Sequence, residues 1–307
     1  MAVRSRAEVL GLVPYLLGYH PKESVVAIFL DAVQDVACVS RLDLTAPAAV
    51  AVHEWSRVSA QQPAGAVLLI GYGPRDAGAQ VTVVADGLAA HAPVVEVLLV
   101  TEGRFFCLRC PCGDASGVVF DPAATAVAAR ATLAGRVALG SRDQLIALTA
   151  ADPLEQIRLS AVLAQPSAGA DEPGPVLAYG LEVAADGQRL PDEQAAQLLR
   201  LLRHRTVRDL AWEATGDLMW QRDLWLDLTR RAPAGHIAAP ASLAAWCAWQ
   251  RGEHTLASAA VDRALADDPG YLIAQLLDHA LRHGLRPQQL FPHLAPDGGV
   301  ATAGDPR

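Results

Sequence analysis

The sequence contains a single lysine, Lys22, among its 25 basic residues. Phosphate-binding loops and Schiff-base enzymes depend on a lysine in a defined setting, for example G-x-x-x-x-G-K-[ST]. No such loop surrounds Lys22. Both classes of lysine-dependent chemistry are therefore excluded. The preference for arginine and alanine is typical of GC-rich codon usage, as in actinobacteria.

Long apolar runs and an excess of positive charge are also lacking. No stretch approaches the ~18 apolar residues that span a bilayer, so we expect no membrane partner. The 25 basic residues stand against 33 acidic ones, giving a net charge of −8. We expect no nucleic-acid partner, since such proteins carry a basic patch that neutralises phosphates. The five cysteines, without an export signal, indicate a reducing compartment and predict a cytoplasmic protein.

The chain has enough apolar material for folded cores, because 52% of its residues are hydrophobic and only 19% are charged. Its 307 residues exceed the usual size of a single core, which predicts two domains. We predict an α/β domain over 1–165, a Pro/Gly-rich linker over 166–175, a helical region over 176–293 and a disordered tail over 294–307.

Strands and helices alternate in the first half. Strands are predicted at 24–30, 36–42, 66–70, 94–101 and 105–108, and helices at 47–61, 76–91, 122–133, 141–150 and 153–164. A stretch at 177–183 is read either as an isolated strand or as part of the linker. Continuous apolar strands alternating with helices favour a mixed, partly parallel sheet flanked by helices.

The second half contains the spacing of a helical hairpin. Gly252, Ala257, Ala264 and Pro269 follow one another at intervals of five, seven and five residues, as in a tetratricopeptide repeat. We therefore predict a tetratricopeptide-like hairpin at about 240–284. A solenoid needs about three repeats to bury its core, and fewer are present here. The hairpin either braces the preceding helices or presents a groove to a protein partner.

Five of the six tryptophans lie in the same half: Trp212, Trp220, Trp225, Trp246 and Trp249. Each removes a large apolar area from water when buried, so core packing is the simplest interpretation. The alternative is a binding surface, because tryptophan is enriched at interface hot spots.

A cysteine cluster is the first candidate for chemistry. Cys107, Cys110 and Cys112 fall in the run C-x-x-C-P-C. Three thiols suit a Zn²⁺ site, whose fourth ligand would come from elsewhere, such as Cys38 or His91. The pair Cys107 and Cys110 alternatively suits redox chemistry. The third interpretation is a reduced cluster without a metal.

Polar residues at strand ends form the second candidate. Arg41 and Asp43 end the second strand on one face, and Ser24 opens the first. Ligands of open α/β sheets gather at the carboxyl ends of strands. We predict a small-ligand site formed by these three residues with Gly71 and Gly73. The alternatives are a local salt bridge for the charged pair and a plain strand-to-helix turn for the glycines.

Several segments resemble an actinobacterial family described as domain of unknown function 4192. The segments are Leu16-Leu17-Gly18-Tyr19-His20-Pro21-x-x-Ser24-Val25-Val26, Arg41-x-Asp43-Leu44, the cysteine-rich turn, Ser141-Arg142-x-x-Leu145, Val207-Arg208-Asp209 and the block at 239–287. The resemblance covers nearly the whole chain. The family's cysteine spacing is wider, which argues against transferring a metal site by analogy. The resemblance implies membership and architecture, but no reaction.

Three hypotheses of function follow. The first is a protein-interaction or regulatory module that uses the helical region and has no assigned catalysis. The second is a small-ligand-binding protein or enzyme with its site on the α/β half. The third is a metal- or redox-responsive protein that uses the cysteine cluster.

Overall fold

The computed structural model describes residues 5–61, 65–110, 116–166 and 173–287. The chain forms two compact units, Met1–Leu148 and Thr149–Arg307. No helix within the described ranges combines the length and the apolar character that a bilayer crossing requires.

The first unit is built on a six-stranded sheet. Its elements are α1 Arg6–Leu17, β1 Ser24–Leu30, β2 Val36–Asp43, α2 Ala48–Gln61, β3 Ala66–Tyr72, α3 Ala77–Leu88, β4 Val94–Thr101, β5 Arg104–Cys107, β6 Val118–Val119, a 3₁₀ turn at Pro122–Ala124, α4 Ala126–Leu133 and α5 Arg142–Ala147. The strand order is β2-β1-β3-β4-β5-β6. Among the described strands, only β3 and β4 are parallel neighbours, which confirms the predicted mixed, partly parallel sheet.

The two faces of the sheet have different neighbours. Val25 and Phe29 of β1 pack with Trp55 of α2 and Val81 of α3 in one apolar core. Helix α1 lies over the opposite face. There, the Nε of Arg6 donates to a carboxylate oxygen of Glu96 in β4 at 2.8 Å. The ordinary alternation of side chains along each strand therefore gives the sheet two buried faces. Val26 of β1, Ile70 of β3 and Leu98 of β4 are buried on the face opposite α2 and α3.

The secondary structure of the second unit is entirely helical among its described residues. Its helices are α6 Pro153–Leu163, α7 Pro173–Ala185, α8 Asp192–Leu201, α9 Arg205–Ala214, α10 Met219–Arg231, α11 Ala238–Gln250, α12 His254–Asp267 and α13 Leu272–Arg282. The predicted helical region after the α/β half is thus confirmed. Residues 167–172 of the predicted linker and the predicted tail at 294–307 lie outside the described residues.

The boundary between the units differs from the predicted one at residue 165. Helix α6 belongs to the second unit, where it packs against α8 and α10. Leu159 is fully buried there, and the side-chain amide of Gln156 donates to the carbonyl of Ala232 at 2.7 Å. The helix was correctly predicted as a helix, but its apolar face pairs with helices later in the chain.

The stretch at 177–183 is helical, not a strand or linker. It lies within α7, and the last three residues of the predicted linker form the first residues of that helix. Leu177, Gly180 and Ala184 are buried on one side of α7. A Cβ on Gly180 would lie 3.3 Å from a methyl of Leu198 in α8, so glycine permits close approach of the two helices.

The hairpin of α11 and α12 forms where it was predicted. Gly252 lies between the two helices with φ +75°, a conformation that glycine adopts without steric cost. Ala257 and Ala264 are fully buried within the unit. Helix α12 ends at Asp267, shortly before Pro269. The small-residue spacing therefore corresponds to packed helices.

Hydrogen bonds also link the start of α11 to the end of α12. The carboxylate of Asp267 accepts backbone N–H groups of Gly235 at 2.7 Å, Ile237 at 2.9 Å and Ala238 at 3.0 Å. These amides precede or begin α11 and have no partner within that helix. A carboxylate there also faces the positive end of the helix dipole. The last residue of α12 thus caps the first turn of α11.

Replacing Gly252 with alanine should lower the free energy of unfolding by about 1 kcal/mol, because an L side chain is strained at positive φ. A Cβ there meets no other atom within 4 Å, so the cost is purely conformational. Gly174 is the matched control, since its Cβ would also lie in open space but its φ is not positive. Urea denaturation of both alanine variants measures the difference, and equal effects would contradict the assignment.

Three of the tryptophans are core residues. Trp225, Trp246 and Trp249 are buried, and Trp212 stacks on Trp246 with ring centroids 4.5 Å apart. The indole nitrogens of Trp225 and Trp246 donate to the side chain and the carbonyl of Thr215, each at 3.0 Å. These three tryptophans therefore serve packing in the second unit.

Candidate functional site

One edge of the sheet collects the predicted polar residues. Because β1 is antiparallel to both neighbours, its first residue lies beside the last residues of β2 and β3. Ser24 is paired with Asp43 on one side and with Tyr72 on the other. Directly paired residues point to the same face of a sheet. The three side chains therefore share one face, opposite the one covered by α2 and α3.

Arg41 lies in β2, two residues before the end of that strand. It is paired with Val26, so it lies on the same face as Asp43. Its Nη2 lies 2.6 Å from a carboxylate oxygen of Asp43 and 3.5 Å from the carbonyl oxygen of Lys22. The Arg41 side chain is 16% exposed and that of Asp43 is 62% exposed. The predicted salt bridge is thus present, with a covered guanidinium and an open carboxylate.

Three polar atoms at this edge are buried and make no hydrogen bond with any residue that the structure describes. They are the Oγ of Ser24, the Nε of Arg41 and the phenol oxygen of Tyr72. Folded proteins satisfy the great majority of buried polar groups, because an unsatisfied one costs about 1–3 kcal/mol. Ser24 lies in an otherwise apolar strand and is fully buried. The edge therefore holds hydrogen-bonding capacity that the described residues do not use.

The segment after α1 brings a further aromatic residue. Gly18 ends α1 with φ +83°, and a Cβ there would also lie 2.7 Å from a methyl of Leu145 in α5. Glycine is therefore required both for its conformation and for its size. Tyr19 follows and is bridged to Leu139, which precedes α5. This arrangement buries Tyr19 almost completely.

Three charged residues influence the phenol of Tyr19. Burial raises its pKa above the usual value; Arg41 and Arg142 lower it, and Asp43 raises it. These four residues are therefore near enough to interact electrostatically. Burial also raises the pKa of Tyr72 far above its usual value. Both phenols are neutral at physiological pH and can donate a proton in a hydrogen bond.

These residues together form one candidate site. The Arg41 cluster consists of Tyr19, Ser24, Arg41, Asp43, Tyr72 and Arg142. It draws on three strands, the segment after α1 and the start of α5. The cluster includes three of the five residues predicted for a small-ligand site.

The two predicted glycines have packing roles. A Cβ on Gly71 would lie 2.5 Å from a methyl of Val81, so glycine allows α3 to approach β3. A Cβ on Gly73 would collide with a methyl of Leu44. The first amides of α3 donate to carbonyls of the preceding turn. This geometry matches the plain strand-to-helix turn that was the alternative to a ligand loop.

The cysteine cluster is seen only in part, since Cys112 lies outside the described residues. The thiol of Cys107 donates to a carboxylate oxygen of Glu96 at 3.5 Å. Cys110 is disulfide-bonded, and Nη2 of Arg6 lies 3.7 Å from its sulfur. A sulfur in a disulfide is not a thiolate ligand, and a guanidinium beside it repels a metal cation. These contacts do not favour zinc.

No group of three or more metal-ligating side chains is arranged for a metal ion among the residues that the structure describes. A zinc site that includes Cys112 stays a prediction, as does a redox role for the cluster.

Comparison with known proteins places the chain in a family. Residues 7–288 match the family described as Domain of unknown function (DUF4192). The chain belongs to this family. The predicted family resemblance is therefore confirmed over nearly the whole sequence. No curated protein and no solved structure matches the chain.

Three segments that carried the DUF4192 resemblance meet at the Arg41 cluster. Tyr19 and Ser24 come from the opening segment, Arg41 and Asp43 from the second, and Arg142 from the segment that starts α5. These segments are far apart in the chain, yet the fold brings them to one edge of the sheet. Their meeting point is where a function of the first unit is best sought.

The five residues predicted for the small-ligand site did not include Tyr19, Tyr72 or Arg142. Tyr19 and Arg142 were within the resemblance segments, so a signal for them existed. Tyr72 carried no signal, because its place beside Ser24 depends on the register between β1 and β3. That register joins residues separated by a strand and a helix.

Proposed function

We propose that the first unit binds a small polar ligand through the Arg41 cluster. The observation that carries this proposal is the group of buried, unpartnered polar atoms on Ser24, Arg41 and Tyr72. If this edge of the sheet had only a structural role, apolar side chains of similar size would stabilise it equally well. Buried polar groups that lower stability because they lack hydrogen bonds are expected where a bound ligand supplies those hydrogen bonds.

Binding is proposed, without an assigned reaction. A serine nucleophile needs a base within hydrogen-bond reach, usually an imidazole. The hydroxyl of Ser24 has no hydrogen-bond partner among the described residues. Tyr72 is held as a neutral phenol by burial, so it is a donor and not a base at neutral pH. The cluster therefore suits recognition of acceptor groups.

The predicted protein partner of the helical region stays a prediction. The small residues Ala257 and Ala264 of the hairpin are buried within the second unit, and so are Trp225 and Trp249. These four side chains are thus used for packing. For this reason the functional proposal rests on the first unit.

Replacing Ser24 with alanine, or Tyr72 with phenylalanine, should raise the free energy of unfolding by about 1 kcal/mol each. Each change removes a buried polar group that has no partner, and its desolvation cost disappears with it. The same changes should weaken ligand binding. Urea denaturation monitored by circular dichroism gives the stability, and thermal-shift screening of small polar metabolites gives the binding.

Ser59 provides the matched control. It is also a buried serine, but its hydroxyl donates to the carbonyl of Trp55 at 3.0 Å. The Ser59→Ala variant should be no more stable than the parent and should bind every ligand of the parent. The proposal fails if no compound shifts the parent more than the Ser24→Ala variant, or if that variant is strongly destabilised.

A further inference from the structure

We infer that the ligand of the Arg41 cluster carries a phosphoryl group, and that Arg41 leaves Asp43 to bind it. This inference rests on the proposed function and adds the chemical class of the ligand. It also assigns separate roles to the two members of the ion pair. Arg41 binds the anion, and Asp43 holds the guanidinium in place when no anion is bound.

The local charge favours an anion. The covered guanidinium of Arg41 provides a positive charge at the cluster, and Arg142 is close enough to Tyr19 to lower the pKa of its phenol. Arg142 forms no ion pair with any residue that the structure describes. The chain as a whole carries a net charge of −8, so a locally positive site is contrary to its average. Arginine forks match the geometry of phosphate oxygens, and they can bind two oxygens at once.

The unpartnered donors favour a phosphoryl group over a carboxylate. The hydroxyls of Ser24 and Tyr72 and the Nε of Arg41 can each donate one hydrogen bond. They come from three neighbouring strands on one face of the sheet, and the guanidinium of Arg142 lies at the start of α5. Donors on several elements suit a tetrahedral group with three acceptor oxygens. A planar carboxylate offers only two oxygens.

The ion pair itself is easy to exchange. The carboxylate of Asp43 is mostly open to solvent, whereas the guanidinium of Arg41 is mostly covered. Water competes for the exposed carboxylate, which weakens its attraction to Arg41. An incoming dianion offers more charge and more acceptors than Asp43 does. Asp43 can then turn to solvent while Arg41 stays at the edge of the sheet.

The test is isothermal titration calorimetry of the full chain with inorganic phosphate and with glycerol 2-phosphate, at constant ionic strength. We expect binding of at least one probe to weaken about tenfold or more in Arg41→Gln, because a hydrogen-bonded charge is lost. Asp43→Asn should bind about threefold or more tightly, since an internal competitor and a like charge are both removed. The stronger probe shows whether the phosphoryl group is free or esterified.

Two further variants control for charge and for folding. Arg57→Gln removes an exposed arginine that pairs with Glu54 on α2, and it should bind both probes like the parent. Arg41→Lys keeps the charge but not the fork, so its affinity should fall between those of the parent and Arg41→Gln. Circular dichroism confirms that each variant is folded.

Acetate separates this inference from the proposed function. Acetate bound as tightly as both phosphate probes would overturn the phosphoryl assignment and leave the ligand site standing. Phosphate binding that is unchanged in Arg41→Gln, or absent in the parent, would overturn the inference. The proposed function fails separately, through the metabolite screen with Ser24→Ala.

Discussion

Replacing Arg231 with alanine should lower the free energy of unfolding by about 3–5 kcal/mol. The side chain is 1% exposed, and its guanidinium lies among groups from several helices of the second unit. Nη1 donates to a carboxylate oxygen of Asp227 and to the carbonyl of Leu190, each at 2.9 Å, and Nη2 donates to Asp192. Without Arg231, the carboxylate of Asp192 and the carbonyl of Leu190 lose this partner, whereas Asp227 keeps its bond with Arg189. The cost comes mainly from these abandoned acceptors.

The matched control is Arg158, whose Nη1 lies 3.1 Å from a carboxylate oxygen of Glu155. Its side chain is 65% exposed, so solvent screens the pair. Arg158→Ala should cost less than about 1 kcal/mol. Guanidinium chloride would screen these charges, so urea denaturation followed by circular dichroism is the appropriate measurement. Similar losses in the two variants would show that burial of Arg231 is not what determines the effect.

Replacing Trp55 with alanine should lower the free energy of unfolding by about 3–5 kcal/mol. Trp55 is buried on the inner side of α2, within the apolar core that includes Val25 and Phe29 of β1. Its indole nitrogen donates to the hydroxyl of Ser40 in β2 at 2.9 Å. The change removes the largest side chain of this core and leaves a cavity between helix and sheet. It also removes the hydrogen-bond partner of Ser40.

Two further variants in α2 serve as references for the loss of stability in Trp55→Ala. Trp55→Phe keeps most of the apolar area and loses the indole N–H, so we expect a loss of about 1–2 kcal/mol. Val50→Ala changes an exposed residue of α2 and should stay within about 0.5 kcal/mol. Urea denaturation orders the three variants. A loss in Trp55→Ala no larger than in Val50→Ala would contradict the role of Trp55 in the core.

The strands were easier to predict than the helix α7, for a local reason. Strand β1 is a continuous run of β-branched and aromatic residues, and both of its ends were predicted correctly. Helix α7 contains Pro173, Gly174 and Pro175, which are typical of linkers. It is helical because Leu177 and its neighbours on one face are buried against α8 and α10. Tertiary packing therefore overrides the local preference.

About half of the candidate site was predictable from the sequence. The predictable residues are close together in the chain, and the others are brought together by pairing between distant segments. Arg41 and Asp43 are two residues apart on one strand, so alternation alone places them on one face. The pairing of Ser24 with Asp43 follows from a hairpin of consecutive strands. Gly71 was assigned to the site because it ends an apolar run, but alternation turns it toward α3 and turns Tyr72 toward Ser24. The strand was predicted to end at Ile70, but β3 continues to Tyr72. Tyr72 therefore lies at the end of the strand, where the site residues were sought.

The strand order also bears on the kinetics of folding. Each pair of neighbours in the sheet is consecutive along the chain except β1 and β3, which are separated by β2 and α2. The turn between β4 and β5 has positive φ at both Glu102 and Gly103, as tight hairpins prefer. Contacts that are local in sequence form quickly, whereas a long loop must lose more entropy before its ends meet. We expect the hairpins of consecutive strands to form first and the closure of β1 onto β3 to be the slow step.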